Sequence, residues 1–535
     1  MWTYAQVWSD LAASSVGTRE AIVCGDRRLT FVELDARAEQ LAAVFDAHGL
    51  RPGDAVAICL VNCVEYLETF FAALKVGCVP VNVNYRYVAG ELAHLLQDAG
   101  ARAIVHHNQF GATVTDALAG GDDVLRLEVV DGTGGEPDAG SLDYELALRI
   151  APPRRDPHQP SGDDLITIYT GGTTGMPKGV MWRNDDLYVA LWQMRKPGTE
   201  PPDAVAWCER GGRAPTCLPV TPLMHGTALW MSMSTLSGGG KVVLIDTIGL
   251  DAGRVWSEVE REDVEILTIV GDASAHPLLD ALDAASPRPD VSSLTAVMSS
   301  GVVLSPESKR RFLAHLPGAM VIDSLGSTEG AISRSVVTAA NADEASSGTF
   351  APRAGVRVIS EETGTDVVPG SGEIGLLAVG GRLPVGYRND PEKSATTFRV
   401  IEGECYTMAG DHATVEADGT IRLLGRGSAC INTGGEKVYA EEVEMVFREH
   451  EAVADCVILG LPHERWGEMV VALVQLVNPT ATTVGALDAY AKQRMAGYKR
   501  PKEYLVLDHI PRGAAGKAEY VALRKLASER LATTR

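Results

Sequence analysis

The stretch Thr30–Val83, TFVELDARAEQLAAVFDAHGLRPGDAVAICLVNCVEYLETFFAALKVGCVPVNV, alternates two textures, and that alternation decides the fold. Thr30-Phe31-Val32-Glu33 has the Ser/Thr-x-x-Glu spacing of a capping box, and Leu34, Ala38, Leu41, Ala42 and Phe45 follow at helical intervals before Gly49. Arg51-Pro52-Gly53-Asp54 is turn chemistry, and Ala55 to Leu60 reads as a short buried strand. The pattern repeats as a helix over Glu65 to Lys75, a strand at Cys78 to Val83 and a helix over Gly90 to Asp98. Strands alternating with helices predict a parallel, helix-covered sheet, hence an α/β fold.

Further along, Lys241 to Ile245 and Leu294 to Ser299 read as strands of the same kind. From Val356 to Val379 short runs separated by Gly and Pro predict antiparallel structure, a small β-barrel-like part. Beyond Gly425 the order becomes helix (Ala440 to Glu449), strand (Val453 to Gly460), strand (Glu468 to Val477), helix (Val484 to Gln493) and strand (Glu503 to Leu507). That tail has the size of a small α+β domain. A boundary at Leu424 to Ser428 gives two expected domains, 1–425 and a mobile 426–535.

The chain has 535 residues, 45% of them hydrophobic, which is enough for extensive cores and more than one domain. Its net charge of −22 argues against a surface that tracks nucleic acid. The sign reverses locally: Ala491 to Arg535 holds eleven Lys and Arg against four Asp and Glu, a basic end suited to an anionic ligand or to plain solvation. Nine scattered cysteines, at 24, 59, 63, 78, 208, 217, 405, 430 and 456, form no disulfide framework or zinc spacing and fit a reducing cytoplasm. Cys59 and Cys63, four apart, would share a helix face as packing residues. No export signal is read at Met1 to Asp10, and the apolar run Met469 to Val477 is far short of a transmembrane segment. Nothing in the sequence selects against a homo-oligomer.

Chemistry concentrates in Tyr169-Thr170-Gly171-Gly172-Thr173-Thr174-Gly175-Met176-Pro177-Lys178-Gly179-Val180. Four glycines, four hydroxyls and a lysine after a strand-like run describe a loop whose amides and hydroxyls surround a polyphosphate, with Lys178 as a point charge. It is not a Walker A loop, because Lys178 lies between Pro177 and Gly179 instead of preceding Ser or Thr.

This segment resembles the phosphate loop of the adenylate-forming superfamily, which contains acyl-CoA synthetases, adenylation domains of peptide synthetases and luciferases. Further segments resemble that family's motifs in order: Thr221-Pro222-Leu223-Met224-His225-Gly226, Ser299-Ser300-Gly301, and Asp323-Ser324-Leu325-Gly326-Ser327-Thr328-Glu329. Glu373 to Tyr387 with Pro391-Glu392, Gly410-Asp411, Gly425-Arg426, Gly434-Gly435-Glu436-Lys437 and Gly516-Lys517 complete the set.

The resemblance implies a role for each segment. ATP would be held by Thr170 to Lys178, Gly301, Asp323, Ser324, Thr328, Asp411, Arg426 and Lys517. Glu329 would supply a hard oxygen for Mg²⁺, with the Thr328 hydroxyl beside the α-phosphate. Asp411, in an apparent loop, would accept from ribose hydroxyls, and Arg426 would reach ribose or phosphate. Lys517, in the basic loop from Pro511, would bridge the attacking carboxylate and the α-phosphate, both anionic. His225 would gate the acyl pocket, which the resemblance places at His225 to Leu236 and Ser299 to Val303, with Gly226 and Gly301 against the substrate. Gly434, Gly435 and Glu436 would line a tunnel for the pantetheine arm of CoA. Two residues depart from the family pattern: Ser428, where the hinge often carries an acidic residue or lysine, and Leu325, where an aromatic commonly stacks on adenine.

The expected reaction is a two-step ligation: acid plus Mg-ATP gives acyl-AMP and pyrophosphate, then CoA displaces AMP. Gly179 to Arg183 and Gly427 to Lys437 are most similar to bacterial fatty-acid-CoA ligases, including relatives that activate steroid side-chain acids. A bulky or linear apolar carboxylic acid is therefore the expected substrate, with ATP, Mg²⁺ and CoA as cofactors and cosubstrates. The alternatives are an enzyme that loads a carrier protein and a nucleotide-binding sensor without turnover.

Overall fold

The computed structural model describes residues 1–119, 123–130, 137–154, 157–172, 175–301, 304–344, 349–426, 430–433, 436–463, 467–478, 482–495, 497–512 and 518–534. Within them the chain has an α/β fold, with a large N-terminal domain of mixed sheets and a small C-terminal α+β domain.

Two eight-stranded sheets form the frame. One runs Gly386–Tyr387, Gly175–Arg183, Leu165–Gly172, Val79–Asn82, Ala55–Cys59, Ala101–His107, Leu125–Val129, Leu142–Asp143. It is parallel from Leu165–Gly172 onward and antiparallel at its first two strands. The other sheet is parallel through Met320–Ser327, Ala296–Ser300, Ile266–Ile269, Cys217–Pro219, Val242–Leu244 and Glu20–Cys24, with an antiparallel strand on each edge. The expected parallel sheet is thus present twice, but each copy is mixed at its margins.

The helices read from Thr30–Val83 lie at the heart of this arrangement. Phe31–Ala47 begins with both arms of the capping box formed between Thr30 and Glu33. Val64–Val76 is buried at every residue except Lys75, because its neighbours cover it on all sides. Trp8, Phe31, Phe45, Phe70 and Phe71 fill the largest core with Ile22, Leu244, Ile166 and Trp182 from the two sheets. Burying the carboxylate of Glu68 inside this core would be prohibitive alone. It is met by the Arg37 guanidinium, with Nη2 to Oε2 at 3.1 Å, and by the Tyr144 hydroxyl at 2.9 Å.

A third sheet is antiparallel throughout and occupies the region read as barrel-like, joining Thr349–Phe350, Ile421–Arg426, Asp411–Val415, Gly375–Gly380, Glu404–Thr407 and Phe398–Ile401, with Val356–Ser360 paired to Gly375–Gly380. The fourth belongs to the C-terminal domain. Its long hairpin, Val453–His463 with Gly467–Leu476, extends the expected strands and carries the parallel strand Glu503–Leu507. Separate cores back its two faces, one around Phe447 and the other around Ile510 and Leu523.

Seven of the described cysteines are buried as free thiols, and Cys405 is exposed. Cys59 ends a strand and Cys63 caps the next helix, so the two do not share a helix face as their spacing suggests. Among the described residues no helix is long and apolar enough to cross a membrane.

Candidate active site

The glycine-rich segment read as a loop is largely a β-hairpin. Strands Leu165–Gly172 and Gly175–Arg183 pair with Thr170 opposite Lys178 and Gly172 opposite Gly175. Glycine is a weak strand former, but continuation of the sheet overrides that preference. Pro177 is buried, and Thr170 and Lys178 are half-buried. Thr173 and Thr174, and the side chain of Met176, lie outside the described residues.

Lys178 is paired. Its Nζ lies 2.9 Å from Asp390 Oδ2 and 6.0 Å from the centre of the Tyr387 ring. The hydrogen bond from Lys178, backed by the Lys393 amide, holds the Asp390 carboxyl below the usual carboxylate range.

Two buried asparagines that the sequence reading missed position the His225 segment. Asn82 Nδ2 donates to the carbonyls of Tyr169 at 2.9 Å and Met224 at 2.6 Å, while its Oδ1 accepts from the Tyr169 amide at 2.6 Å. Asn62 Nδ2 donates to Thr221 O at 3.0 Å, and its Oδ1 accepts from the Leu223 amide at 2.6 Å. Each asparagine satisfies amide groups that the core would otherwise strand. Together they tie the glycine-rich hairpin to the turn that ends in His225. His225 is then the N-cap of helix Gly226–Ser237, its amide donating to Pro222 O at 3.0 Å.

Thr328 and Glu329 form the two-residue tip of the hairpin made by Met320–Ser327 and Gly330–Val337, in which Ser327 pairs with Gly330. Trp182 Nε1, from the glycine-rich hairpin, donates to Thr328 O at 2.9 Å. Glu329 is buried, its carbonyl accepts from Thr407 Oγ1 at 3.2 Å, and its Oε1 accepts from the Tyr387 hydroxyl at 2.7 Å. A carboxylate offers about four lone-pair positions, so this arrangement retains acceptor capacity suited to a hard cation.

Asp323 is half-buried and ion-paired. Its Oδ2 is 3.0 Å from Nζ of Lys309, a lysine with no exposed surface, and its carboxylate also accepts from the Leu304 amide. Burial raises the Asp323 carboxyl even so, with Lys309 opposing the shift. Ser324 is buried beside it, and Leu325 packs against the core of the third sheet. Gly301 follows strand Ala296–Ser300 at φ +85°, a left-handed conformation that favours glycine.

Asp411, read as a loop residue, instead opens strand Asp411–Val415 and lies directly opposite Arg426 in the ladder. Gly410, at φ +94°, makes the turn that precedes it. The side chains of Arg426 and Glu436 are outside the described residues, as are Ser428, Gly434, Gly435 and Lys517. The ends of the Lys517 loop are described: Arg512 and Ala518 form an antiparallel bridge, and Arg512 holds Asp455 through Nε to Oδ2 and Nη2 to Oδ1, both 2.7 Å. Arg512 and Arg448 face Thr221, Pro222 and Asp272 across a cleft of about 480 Å³ between the two domains.

Contacts join the glycine-rich hairpin to the Glu329 tip through Trp182 and Tyr387 and to the His225 turn through Asn82, while Asp411 and Arg426 face each other in the third sheet. The model of the AMP-binding enzyme family matches residues 10–385, and that of the AMP-binding enzyme C-terminal domain matches 442–517. A 3-oxocholest-4-en-26-oate–CoA ligase of Rhodococcus rhodochrous is 37% identical over 530 residues, covering 95% of this chain and 93% of that protein. The medium-chain acyl-CoA ligase Mig of Mycobacterium avium is 38% identical over 530 residues, 95% of each chain. A crystal structure of an anthranilate CoA ligase with anthranoyl-AMP superposes with a TM-score of 0.82 at 22% identity, covering 99% of this chain and 98% of that one, a likeness of fold.

Proposed function

The chain belongs to the AMP-binding enzyme family and is an AMP-forming acid–thiol ligase, an acyl-CoA synthetase, and we propose that its acid is a medium- to long-chain fatty acid or a bulky apolar acid of the steroid side-chain type. The observation that carries this reading is the identity of 37–38% along almost the whole chain to ligases of those two substrate classes. The apolar helix Gly226–Ser237 behind His225, with Trp230 packed against Trp182, is in keeping with it.

In the first step a carboxylate oxygen attacks the α-phosphorus of ATP, a P–O bond forms, and pyrophosphate leaves. The hairpin about Thr170 to Lys178 receives the polyphosphate, and Lys178 turns from Asp390 toward it. Asp411 and Arg426 hold the ribose side. Glu329 and Thr328 stand where Mg²⁺ would be held, and that ion would neutralise phosphate charge. Lys517 supplies the mobile cation between the two anions that react. In the second step the sulfur of CoA attacks the acyl carbonyl and AMP leaves, with Gly434, Gly435 and Glu436 along the thiol's approach. We place the division between the moving parts at 425/426.

The test is incubation with Mg-ATP and a panel of short, long-chain and steroid acids, with and without CoA, followed by mass spectrometry. Acid-dependent acyl-AMP that becomes acyl-CoA only with CoA present, from apolar acids above all, is the expected result. Acyl-AMP that persists despite CoA would overturn the choice of acceptor, and activity confined to small polar acids would overturn the choice of acid.

A further inference from the structure

Helix Gly226–Ser237 leads away from His225, and Gly226, Trp230, Ser234 and Ser237 recur on one of its faces. Near its start the Trp230 ring meets Trp182 edge-on at 6.4 Å, and Trp182 in turn donates to Thr328. At roughly 1.5 Å per residue the face reaches about 16 Å beyond Gly226. There Ser234 and Ser237 line a cavity of about 30 Å³ with Tyr4, Tyr188, Trp192 and Arg195. Such a volume holds a small polar group.

What lines this cavity is one-sided. Its polar side chains carry a guanidinium, hydroxyls and the indole N–H groups of Trp192 and Trp207, and no carboxylate is among its lining residues. Arg195 makes no hydrogen bond or ion pair with any described residue; its guanidinium lies 6.0 Å from the centre of the Trp192 ring on its own helix, with Tyr188 also close enough to interact with its charge. Burial lowers its pKa from the ordinary arginine value. Tyr4 is 1% exposed, and its hydroxyl is buried with no hydrogen-bond partner. Nearby Asp203 is already committed as the N-cap of helix Ala204–Glu209, accepting from the Ala206 amide. A half-buried guanidinium without a counter-ion and a buried hydroxyl without a partner both carry a desolvation cost that an incoming acceptor offsets.

We propose that this cavity is the far end of the acyl site and receives an oxygen acceptor, a carbonyl or carboxylate, borne by the acid at the end remote from the carboxyl that is activated. The inference rests on the reading of the acid as long or bulky. It adds that the enzyme distinguishes acids by an oxygen at the distal end, with Arg195 and Tyr4 as the discriminating donors.

The experiment compares two pairs of acids, 3-oxocholest-4-en-26-oic against cholest-4-en-26-oic acid and hexadecanedioic against hexadecanoic acid, in the wild type, Arg195→Met and Tyr4→Phe. The wild type is expected to favour the distally oxygenated member of a pair by about tenfold in kcat/KM. Arg195→Met should erase that preference through KM while leaving KM for the hydrocarbon member within about twofold, and Tyr4→Phe, which removes a single oxygen, should reduce it. Unchanged preference in both variants overturns the proposal, as does equal loss for both members of a pair. Acetate that raises the melting temperature of the wild type but not of Arg195→Met, without any preference among acids, identifies a free-anion site and also overturns it. Product from hydrocarbon acids with no distal preference defeats this inference alone, whereas no product from any of the four acids defeats the reading on which it rests.

Discussion

Tyr387 Oη donates to Glu329 Oε1 at 2.7 Å, joining a strand paired with the glycine-rich hairpin to the tip of a hairpin in the other large sheet. The bond orients a carboxylate whose second oxygen remains available. If Glu329 holds the cation, Glu329→Gln lowers ATP–pyrophosphate exchange by about 10²-fold or more. Tyr387→Phe, acting through the carboxylate, raises the Mg²⁺ concentration for half-activity by about tenfold. A Mg²⁺ titration of pyrophosphate release checks both, and identical metal dependence in all three proteins would sink the assignment.

The fully buried Lys309 lies 3.0 Å from Asp323. Removing one partner leaves the other charge stranded, so Lys309→Met should destabilise the protein by about 3–5 kcal/mol, and adding Asp323→Asn should restore much of that loss. Urea unfolding measures both. A loss below about 1 kcal/mol for the single variant would contradict a charged pair.

Glu262 provides a pH test. Burial by itself would raise its carboxyl, but hydrogen bonds from Arg28 and Lys241 outweigh burial and bring it down to about 2. A pKa below the unfolded value of about 4.3 contributes stability that is fully present above that pH. It is lost as the pH falls through about 2. Glu262→Gln should therefore flatten the acid limb of the melting temperature between these two values, and parallel curves for the two proteins would refute it.

Arg512 roots the Lys517 loop on Asp455. Lys517→Ala should abolish most adenylation while sparing thioester formation from supplied acyl-AMP. Arg512→Ala, which frees the loop without removing the lysine, should slow adenylation by about tenfold. Half-reaction assays separate the steps, and equal loss of both steps in either variant would end this division of labour.

The features that the sequence made legible were those with a local signature. The Thr30 capping box, the helix and strand periods that follow it and the glycine-rich segment each announce themselves within a dozen residues. Asn62 and Asn82 do not, although each is an amide set in an apolar run, Asn62 between Val61 and Cys63 and Asn82 between Val81 and Val83, and that setting was the available signal. Lys309 lies in PESKRRFLAH, a polar run that reads as solvated, yet the adjacent strand covers it. The Tyr387–Glu329 bond spans 58 residues, and Asp411 acquires its strand only through its pairing with Arg426. Such features depend on tertiary register, for which a single sequence carries no period.

The buried cysteines have a chemical consequence for an enzyme that makes an activated acyl group beside a thiol acceptor. Burial pushes Cys24, Cys59, Cys78 and Cys217 up to about 12, so at neutral pH these side chains hold almost no thiolate. They are poor competitors for the acyl-adenylate and poor partners for a mixed disulfide with CoA. Burial thereby withdraws these four thiols from self-acylation, which leaves the exposed Cys405 as the thiol open to it among the described residues.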